Sequence, residues 1–307
     1  MQNRTMRRRT ALLAAAGATL SGPARACGPV QDLMPSFWAA YDALPPGNAV
    51  DRARALIAAY LQPNIDAYRA AGIARVDVAA WLPRFDPVAG TVRSLSQRLS
   101  DLWCARLAQF QRLLPDAEPD VPATAFVSFL WFDGRARSVQ GRMALFLGLD
   151  MIVLLHGEEP GPLLDHERFH LYHHQVNPSL IMEGGDPLWL GIWKEGLAVH
   201  ATALLNPGTP RVTAFMGDEM LASMDAAVLR RVAAELPTQL DATGLAERSR
   251  YLGYGYRGTI PARSGYVLGL AIVERAAQGR DLAALARIPA PEIAAIVRRE
   301  LAAIAQG

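Results

Sequence analysis

The sequence predicts an α+β fold that is mostly helical and contains a small β-sheet. Apolar residues recur at helical spacing through residues 30–115 and again beyond residue 157. Between these regions, residues 124–132 are rich in aromatic and β-branched side chains, and residues 142–149 form a second apolar run of strand length. Hydrophobic residues make up 51% of the chain and charged residues 20%, a composition that excludes wholesale disorder.

The N-terminal helical region is predicted to span residues 27–118. Residues 51–68 and 88–114 carry apolar side chains at helical spacing, with a break at Pro63 in the first segment. Residues 119–307 then form the domain that contains the predicted strands. Because no low-complexity linker separates the two, we expect the N-terminal helices to form a wall of the functional cleft.

Residues 1–26 have the features of an export signal. Arginines at 7–9 precede a weakly apolar run at 11–20, and Ala24-Arg25-Ala26 has the small-x-small pattern of a cleavage site. The paired arginines resemble a twin-arginine signal, which predicts a periplasmic or secreted protein. The alternatives are a disordered or membrane-associated tail, and a lipoprotein in which Cys27 is acylated.

The formal net charge of +2 comes from this leader. The leader holds five arginines and no acidic residue, so the rest of the chain has 26 basic and 29 acidic residues. A net charge of −3 gives no reason to expect a nucleic-acid partner. The longest apolar run outside the leader, residues 143–155, is interrupted by Asp150 and is too short for a stable transmembrane segment.

Cys27 and Cys104 are the only cysteines in the chain. In an oxidising compartment they could form a disulfide that ties the start of the mature chain to a helix. In the chain-entropy model such a long loop contributes about 4 kcal/mol of stability. The alternative is two unpaired thiols, with Cys104 buried in its helix. A redox role is not expected, because the chain has no Cys-x-x-Cys motif.

All six histidines fall between residues 156 and 200, and two of them belong to a metal-binding motif. Residues 166–170, HERFH, have the form H-E-x-x-H. Residues i and i+4 share one face of a helix, so the imidazoles of His166 and His170 can reach one cation. Glu167 is rotated by about 100° from His166. Its carboxylate can therefore lie beside the cation without binding it and act as a general base toward water.

A catalytic zinc site needs a third protein ligand and an open fourth position. Glu195 lies 25 residues after His170, at the start of another apolar helical segment, and Gly-Leu-Ala follows it. With these residues the chain resembles the gluzincin class of zinc metallopeptidases, in which H-E-x-x-H precedes a glutamate ligand in an E-G-x-A context. It is also similar to a bacterial group of predicted zinc-dependent proteases of unknown function, whose Arg-x-Gly-Tyr segment matches residues 263–266. The resemblance covers roughly residues 124–305.

The resemblance implies a zincin-like domain at residues 119–307 and an exported, Zn²⁺-dependent peptidase that acts on peptide or protein substrates. His166, His170 and Glu195 would hold the zinc, and Glu167 would activate a zinc-bound water. The alternative is a zinc-binding but catalytically silent periplasmic module for binding or assembly. A helical export-pathway protein without a metal is the third hypothesis. The intact Glu167 favours the enzyme, because a structural zinc site does not need a base.

Several further residues are candidates for contact with the substrate. Tyr266 lies in the matched segment and is expected to stabilise the oxyanion formed in amide hydrolysis, unless it only packs a helix N-terminus. Arg263 could bind a substrate carbonyl or carboxylate, although a cap or a salt bridge is the expected role. His200, just over a helical turn after Glu195, could reach the site. Tyrosines in the glycine-rich segment 251–258 could line the cleft or only pack the loop.

The predicted strand at residues 143–149, which includes Leu147, is a candidate for substrate pairing. In zincins the edge of a strand beside the motif helix often pairs with an extended substrate through main-chain hydrogen bonds. An ordinary buried strand remains the alternative, because the sequence does not distinguish an edge strand from a central one.

The support of the zinc ligands departs from that of thermolysin-like enzymes. Those enzymes have an aspartate four residues after the glutamate ligand, where this chain has Val199. Zinc-bound histidines normally donate their other N–H to a carboxylate or a carbonyl. We therefore expect Asp150, Asp165 or a backbone oxygen to take this role.

Overall fold

The fold is α+β and mostly helical, as the sequence predicts. The computed structural model describes residues 27–28, 30–180, 182 and 185–307, so the predicted export signal at residues 1–26 lies outside the described residues. None of the described helices combines the length and the apolar character needed to span a bilayer.

Along the chain, helices come before and after the strands of a small sheet. The N-terminal region contains β1 (Val30–Asp32), α1 (Met34–Asp42), α2 (Ala49–Leu56), α3 (Ile65–Ala70), α4 (Val78–Phe85) and α5 (Ala89–Leu113). The strands β2 (Ala123–Phe126), β3 (Gly134–Val139) and β4 (Arg142–Gly148) follow. The remaining helices are α6 (Leu149–His156), α7 (Gly161–Val176), α8 (Leu188–Leu205), α9 (Arg211–Ala214), α10 (Glu219–Ala222), α11 (Ala226–Glu235), α12 (Leu245–Leu252), α13 (Ser264–Ala276), α14 (Leu282–Ala286) and α15 (Ala290–Gln306).

The four strands pair in the order β1-β2-β4-β3. β1, β2 and β4 are parallel, and β3 is antiparallel to β4. Leu147 of β4 is opposite Ala125 of β2 on one side and Gly134 of β3 on the other. β4 therefore lies inside the sheet, and the expectation that residues 143–149 offer a free edge to a substrate is wrong. The edge strand next to α7 is β3.

The sequence indicates only a turn at Asp133-Gly134 and does not predict β3. Residues 134–139 read GRARSV, with two arginines and a single β-branched residue. Strand prediction rests on aromatic and β-branched residues that pack on a half-buried surface. An edge strand carries charged and small residues instead, which blunt its tendency to pair with other chains.

The predicted strand at residues 124–132 ends early, at Phe126, and residues 127–132 form a loop. The fully buried carboxylate of Asp150 accepts hydrogen bonds from the backbone N–H groups of Ser128, at 2.6 Å, and Leu130, at 3.0 Å. Phe129 and Leu130 adopt left-handed backbone conformations, with φ of 55° and 67°. Such residues cost of order 1–3 kcal/mol each. The buried carboxylate stabilises this path by satisfying the two amides.

The N-terminal region shares a hydrophobic core with the sheet. β1 pairs with β2, and aromatic residues of α1 and α4, such as Phe37 and Trp81, belong to the same buried cluster as Leu145 of β4. Cys27 and Cys104 form the expected disulfide, with their Cα atoms 5.4 Å apart. In the described part of the chain, the main cleft is lined only from residue 130 onward. The expectation that the N-terminal helices wall the cleft is wrong. Their aromatic residues on α1 and α4 share the core of the sheet, and α5 packs against α6 and α7.

Three helices position the candidate site. α7 begins at Gly161 with Pro162 in its first turn, and it is buried along most of its length. α8 is buried in the same way. A Cβ atom at Gly196 of α8 would collide with the backbone of Gly269 of α13, so these helices touch along their backbones. This close approach brings the N-terminus of α13 over the residues of α7.

Candidate metal centre and active site

Three side chains converge on the floor of the main cleft. His166 Nε2 lies 3.1 Å from His170 Nε2 and 3.2 Å from Glu195 Oε2. His170 Nε2 lies 3.4 Å from the same carboxylate oxygen. The two histidines are one helical turn apart on α7, and Glu195 lies in the second turn of α8. The packing of α7 against α8 therefore closes the triangle that the sequence predicts.

The triangle fits a tetrahedral zinc ion. Ligand atoms bound to zinc at about 2.0–2.1 Å with tetrahedral angles lie about 3.3 Å from one another. The three observed separations are within about 0.2 Å of that value. Two imidazole nitrogens and one carboxylate oxygen are also a donor set that zinc accepts while a fourth position stays open.

The protonation states of His166 and Glu195 suit a cation. Burial lowers the pKa of His166 to about 4, which keeps this imidazole neutral. Burial works against the charge on Glu195, but His170 and the hydrogen bonds from both histidines hold the pKa of Glu195 well below its usual range. A neutral imidazole and an ionised carboxylate are the forms that bind metals. Burial works against a charge on His170, but Glu195 raises the pKa of His170, so a cation would have to displace that proton.

Glu167 lies beside the triangle without belonging to it. Its side chain lines the cleft, and burial raises its pKa to about 8. A Cβ atom at Gly134 would collide with Cγ and Cδ of Glu167, so the carboxyl group rests against the first residue of β3. A carboxyl group whose pKa lies near neutrality suits general acid–base catalysis.

Tyr266 and Arg263 reach the cleft from the start of α13. The Tyr266 ring lies parallel to the His166 imidazole, with 6.0 Å between ring centroids. The Arg263 guanidinium lies between the rings of Tyr254 and Tyr266, at 4.1 and 4.2 Å, and pairs with Asp218 at 3.0 Å. Arg263 occupies the N-cap position with φ 56°. The expected salt bridge is present, and the same side chain also lines the cleft.

Sequence reasoning missed a polar network at the rim of the cleft. His156 Nε2 lies 2.7 Å from Asp133 Oδ2, and His156 Nδ1 lies 2.7 Å from the carbonyl oxygen of Met216. The Tyr254 hydroxyl donates to the same Asp133 oxygen at 3.2 Å. The network ties the start of β3 to α6 and to the loop before α13. No local pattern signals it, because Asp133 and Tyr254 are 121 residues apart.

Two residues predicted to contact the substrate do not reach the cleft. Leu147 is fully buried inside the sheet. His200 is five residues after Glu195, which rotates it by about 140° around α8. Neither side chain lines the cleft in the described part of the chain. Of the tyrosines in the glycine-rich segment, Tyr254 lines it and Tyr251 is buried in α12.

The expected carboxylate support of the zinc ligands is absent from the described residues. Asp150 holds the 127–132 loop, and Asp165 pairs with Arg106 and accepts a hydrogen bond from Asn206. His166 Nδ1 is buried without a hydrogen-bond partner. Neither aspartate accepts a hydrogen bond from a zinc ligand, because other donors already engage its carboxylate. The prediction that either of them orients a zinc ligand is therefore wrong.

The site opens into a cleft with a volume of about 550 Å³. β3, the 127–132 loop, α6, α7, α8 and the segment before α13 contribute to its walls. Comparisons of the chain with protein-family models, curated proteins and solved structures found no match.

Proposed function

We propose that the protein is an exported zinc-dependent metallopeptidase. The observation that carries the proposal is the convergence of His166, His170 and Glu195 at the floor of a cleft, with the buried carboxyl group of Glu167 beside them. Zn²⁺ at this position would supply Lewis acidity, which polarises a carbonyl group and lowers the pKa of water. The donor set and the separations of the ligand atoms support zinc as the cation.

The other residues account for the proton transfers and the developing charge. Glu167 accepts a proton as the water oxygen bonds to the peptide carbonyl carbon. It delivers that proton to the leaving nitrogen as the C–N bond breaks, so its carboxylate is regenerated. Tyr266 donates a hydrogen bond to the oxyanion, and Arg263 holds the Tyr266 ring in place by stacking on it.

The edge strand β3 offers a second element of substrate binding. Gly134, Arg135 and Ala136 line the cleft, and the side of β3 away from β4 has no strand partner in the described residues. An extended peptide can add to such an edge through main-chain hydrogen bonds. β3 takes over the role that the sequence assigned to residues 143–149.

We infer the compartment from the leader and the cysteines. The segment at residues 1–26 resembles a twin-arginine export signal. The disulfide between Cys27 and Cys104 supports an oxidising compartment, because disulfides are rare in the reducing cytosol. We infer a periplasmic or secreted enzyme whose partner is a peptide or protein substrate and not a nucleic acid.

The test is cleavage of a peptide library by the zinc-loaded protein. The wild type should cleave, and Glu167→Gln should lower kcat/KM by about 10²- to 10⁴-fold with its zinc retained. His200→Ala is the matched control, because this histidine on α8 lies outside the cleft, and it should keep full activity. A wild type that binds zinc and peptides without cleaving any would instead be a binding module. Equal turnover by Glu167→Gln would contradict the mechanism.

A further inference from the structure

One face of α7 runs along the whole floor of the cleft. Leu163, His166, His170 and His174 are spaced by three or four residues and all line the cleft. At a rise of about 1.5 Å per residue, Leu163 and His174 are about 16 Å apart along the axis. The metal-binding pair lies between them, so the cleft has two ends with different neighbours.

The end at Leu163 is apolar. The nearby lining residues are contributed by α6, by the 127–132 loop and by the segment after α9: Leu130, Trp131, Met151, Leu155, Met216. Trp131 is 45% exposed and Leu155 is 40% exposed. Exposed large apolar side chains grouped in a cleft indicate a binding surface for an apolar group.

The 127–132 loop is held in its unusual path at this end. Its two left-handed residues, Phe129 and Leu130, keep that conformation because Asp150 accepts two of the loop's amide hydrogen bonds. Without these two left-handed residues, the chain would continue in the direction of β2 and would not present Leu130 and Trp131 to the cleft. A strained backbone that surrounding groups hold in place indicates a functional requirement.

The end at His174 is basic. Lys194, the only lysine of the chain, donates to the Asp186 carboxylate at 2.7 Å and to a carbonyl oxygen at 3.0 Å. Arg248 donates to the backbone oxygen of Asp186 at 3.1 Å and forms no ion pair with any acidic residue in the described part of the chain. A Cβ atom at Gly191 would lie 3.5 Å from Arg248 Nη1. The guanidinium therefore lies over α8, one turn before Glu195.

The charges at this end do not cancel. Lys194 and Arg248 supply two positive charges, and Asp186 supplies one negative charge among the described lining residues of this end. One positive charge at this end of the cleft is therefore not neutralised by an acidic residue of the same end. Among the groups of a peptide, a carboxylate is the one that an arginine binds through two parallel hydrogen bonds.

We propose that the cleft selects peptides that carry a bulky apolar side chain on one side of the scissile bond and a carboxylate on the other. The inference rests on the proposed function in one respect, which is that a peptide occupies the cleft. An extended chain rises about 3.3 Å per residue, so about five residues span the distance between the two ends. The carboxylate is either the α-carboxylate of the substrate or an acidic side chain.

Binding of short peptides tests the selection without requiring cleavage. The protein is the zinc-loaded Glu167→Gln variant, and the reference probe is acetyl-Phe-Ala-Ala-Ala-Ala with a free carboxylate. Replacing Phe by Ser should weaken binding about tenfold, and amidating the C-terminus should also weaken it about tenfold. An amidated peptide with Asp in the last position distinguishes the carboxylate sources, because recovery of affinity assigns the side chain and no recovery assigns the α-carboxylate.

Two substitutions assign the preferences to the two ends. Arg248→Ala should remove the preference for a carboxylate and leave the preference for Phe. Leu155→Ala should weaken the preference for Phe and leave the preference for a carboxylate. The matched controls are Arg54→Ala, whose side chain is 78% exposed on α2, and Leu245→Ala, which is 85% exposed outside the cleft. Both controls should bind all probes as the parent variant does.

Equal affinities for the Phe and Ser peptides, or for the acid and both amides, would overturn the proposal, as would the absence of binding to any probe. Preferences that persist in Arg248→Ala and Leu155→Ala would overturn it too. Failure of the proposed function gives a different result. In that case the binding preferences hold, but the zinc-loaded wild type leaves the preferred peptide uncleaved.

Discussion

The floor and the rim of the cleft are built in different ways. The floor consists of α7 and α8, whose residues have ordinary helical backbones and present His166, His170 and Glu195 at helical spacing. The rim consists of the 127–132 loop, the start of β3 and the segments before α10 and α13. Of the five non-glycine residues with positive φ in the described part of the chain, three line the cleft at this rim: Leu130, Met216 and Arg263.

Each strained position of the rim is connected to a carboxylate. Asp150 accepts from the amide of Leu130, and Asp218 pairs with Arg263. The carbonyl oxygen of Met216 contacts His156, which in turn pairs with Asp133. Helix periodicity places the metal ligands, whereas aspartates fix the shape of the cleft around them. Substitutions at the two parts should therefore affect different properties.

The largest effect on folding is expected at a rim aspartate. Asp150→Ala leaves buried amides and an indole N–H without an acceptor, which should lower the free energy of unfolding by about 3–5 kcal/mol. Denaturant unfolding measures this, with Asp66→Ala, whose side chain is 91% exposed, as the control. The fraction that folds should keep its zinc, because α7 and α8 supply every ligand. Loss of zinc from the folded fraction would show that zinc binding by the floor depends on the rim.

A catalytic effect without a folding effect is expected where the rim meets the floor. Tyr266→Phe removes one oxyanion donor, so kcat should fall by about 10²-fold while KM and zinc content change little. Tyr256→Phe is the matched control, because Tyr256 lies outside the metal cleft in a neighbouring cavity. Steady-state kinetics on one peptide distinguish the two. An unchanged kcat in Tyr266→Phe would leave this tyrosine only a packing role.

A smaller effect is expected at the first residue of β3. Gly134→Ala places a methyl group where the side chain of Glu167 lies, so the carboxyl group must move. We expect kcat/KM to fall by about tenfold, with zinc content unchanged, because displacement of a catalytic group weakens its alignment. Gly90→Ala, at a position with open space around the added methyl, should keep full activity. Full activity in Gly134→Ala would mean that β3 does not position Glu167.

The same division explains what the sequence could predict. The H-E-x-x-H helix, the helix of Glu195 and the presence of a small sheet before them follow from local patterns, because helical spacing is a property of neighbouring residues. The rim does not follow from such patterns. The contact of Asp150 with Ser128 spans 22 residues and that of Asp133 with His156 spans 23. The first contact ends β2 early, and the second gives His156 a structural role that its sequence context does not indicate.

The zinc content of the protein purified without added metal, measured by mass spectrometry beside His166→Ala, tests the assignment of the metal site. We expect about one zinc per chain in the wild type and loss of that zinc in the variant, since one of three protein ligands is removed. His200→Ala, outside the cleft, should keep its zinc. Absence of metal from the wild type even after zinc is offered, or equal zinc in wild type and His166→Ala, would contradict the assignment of these residues as zinc ligands.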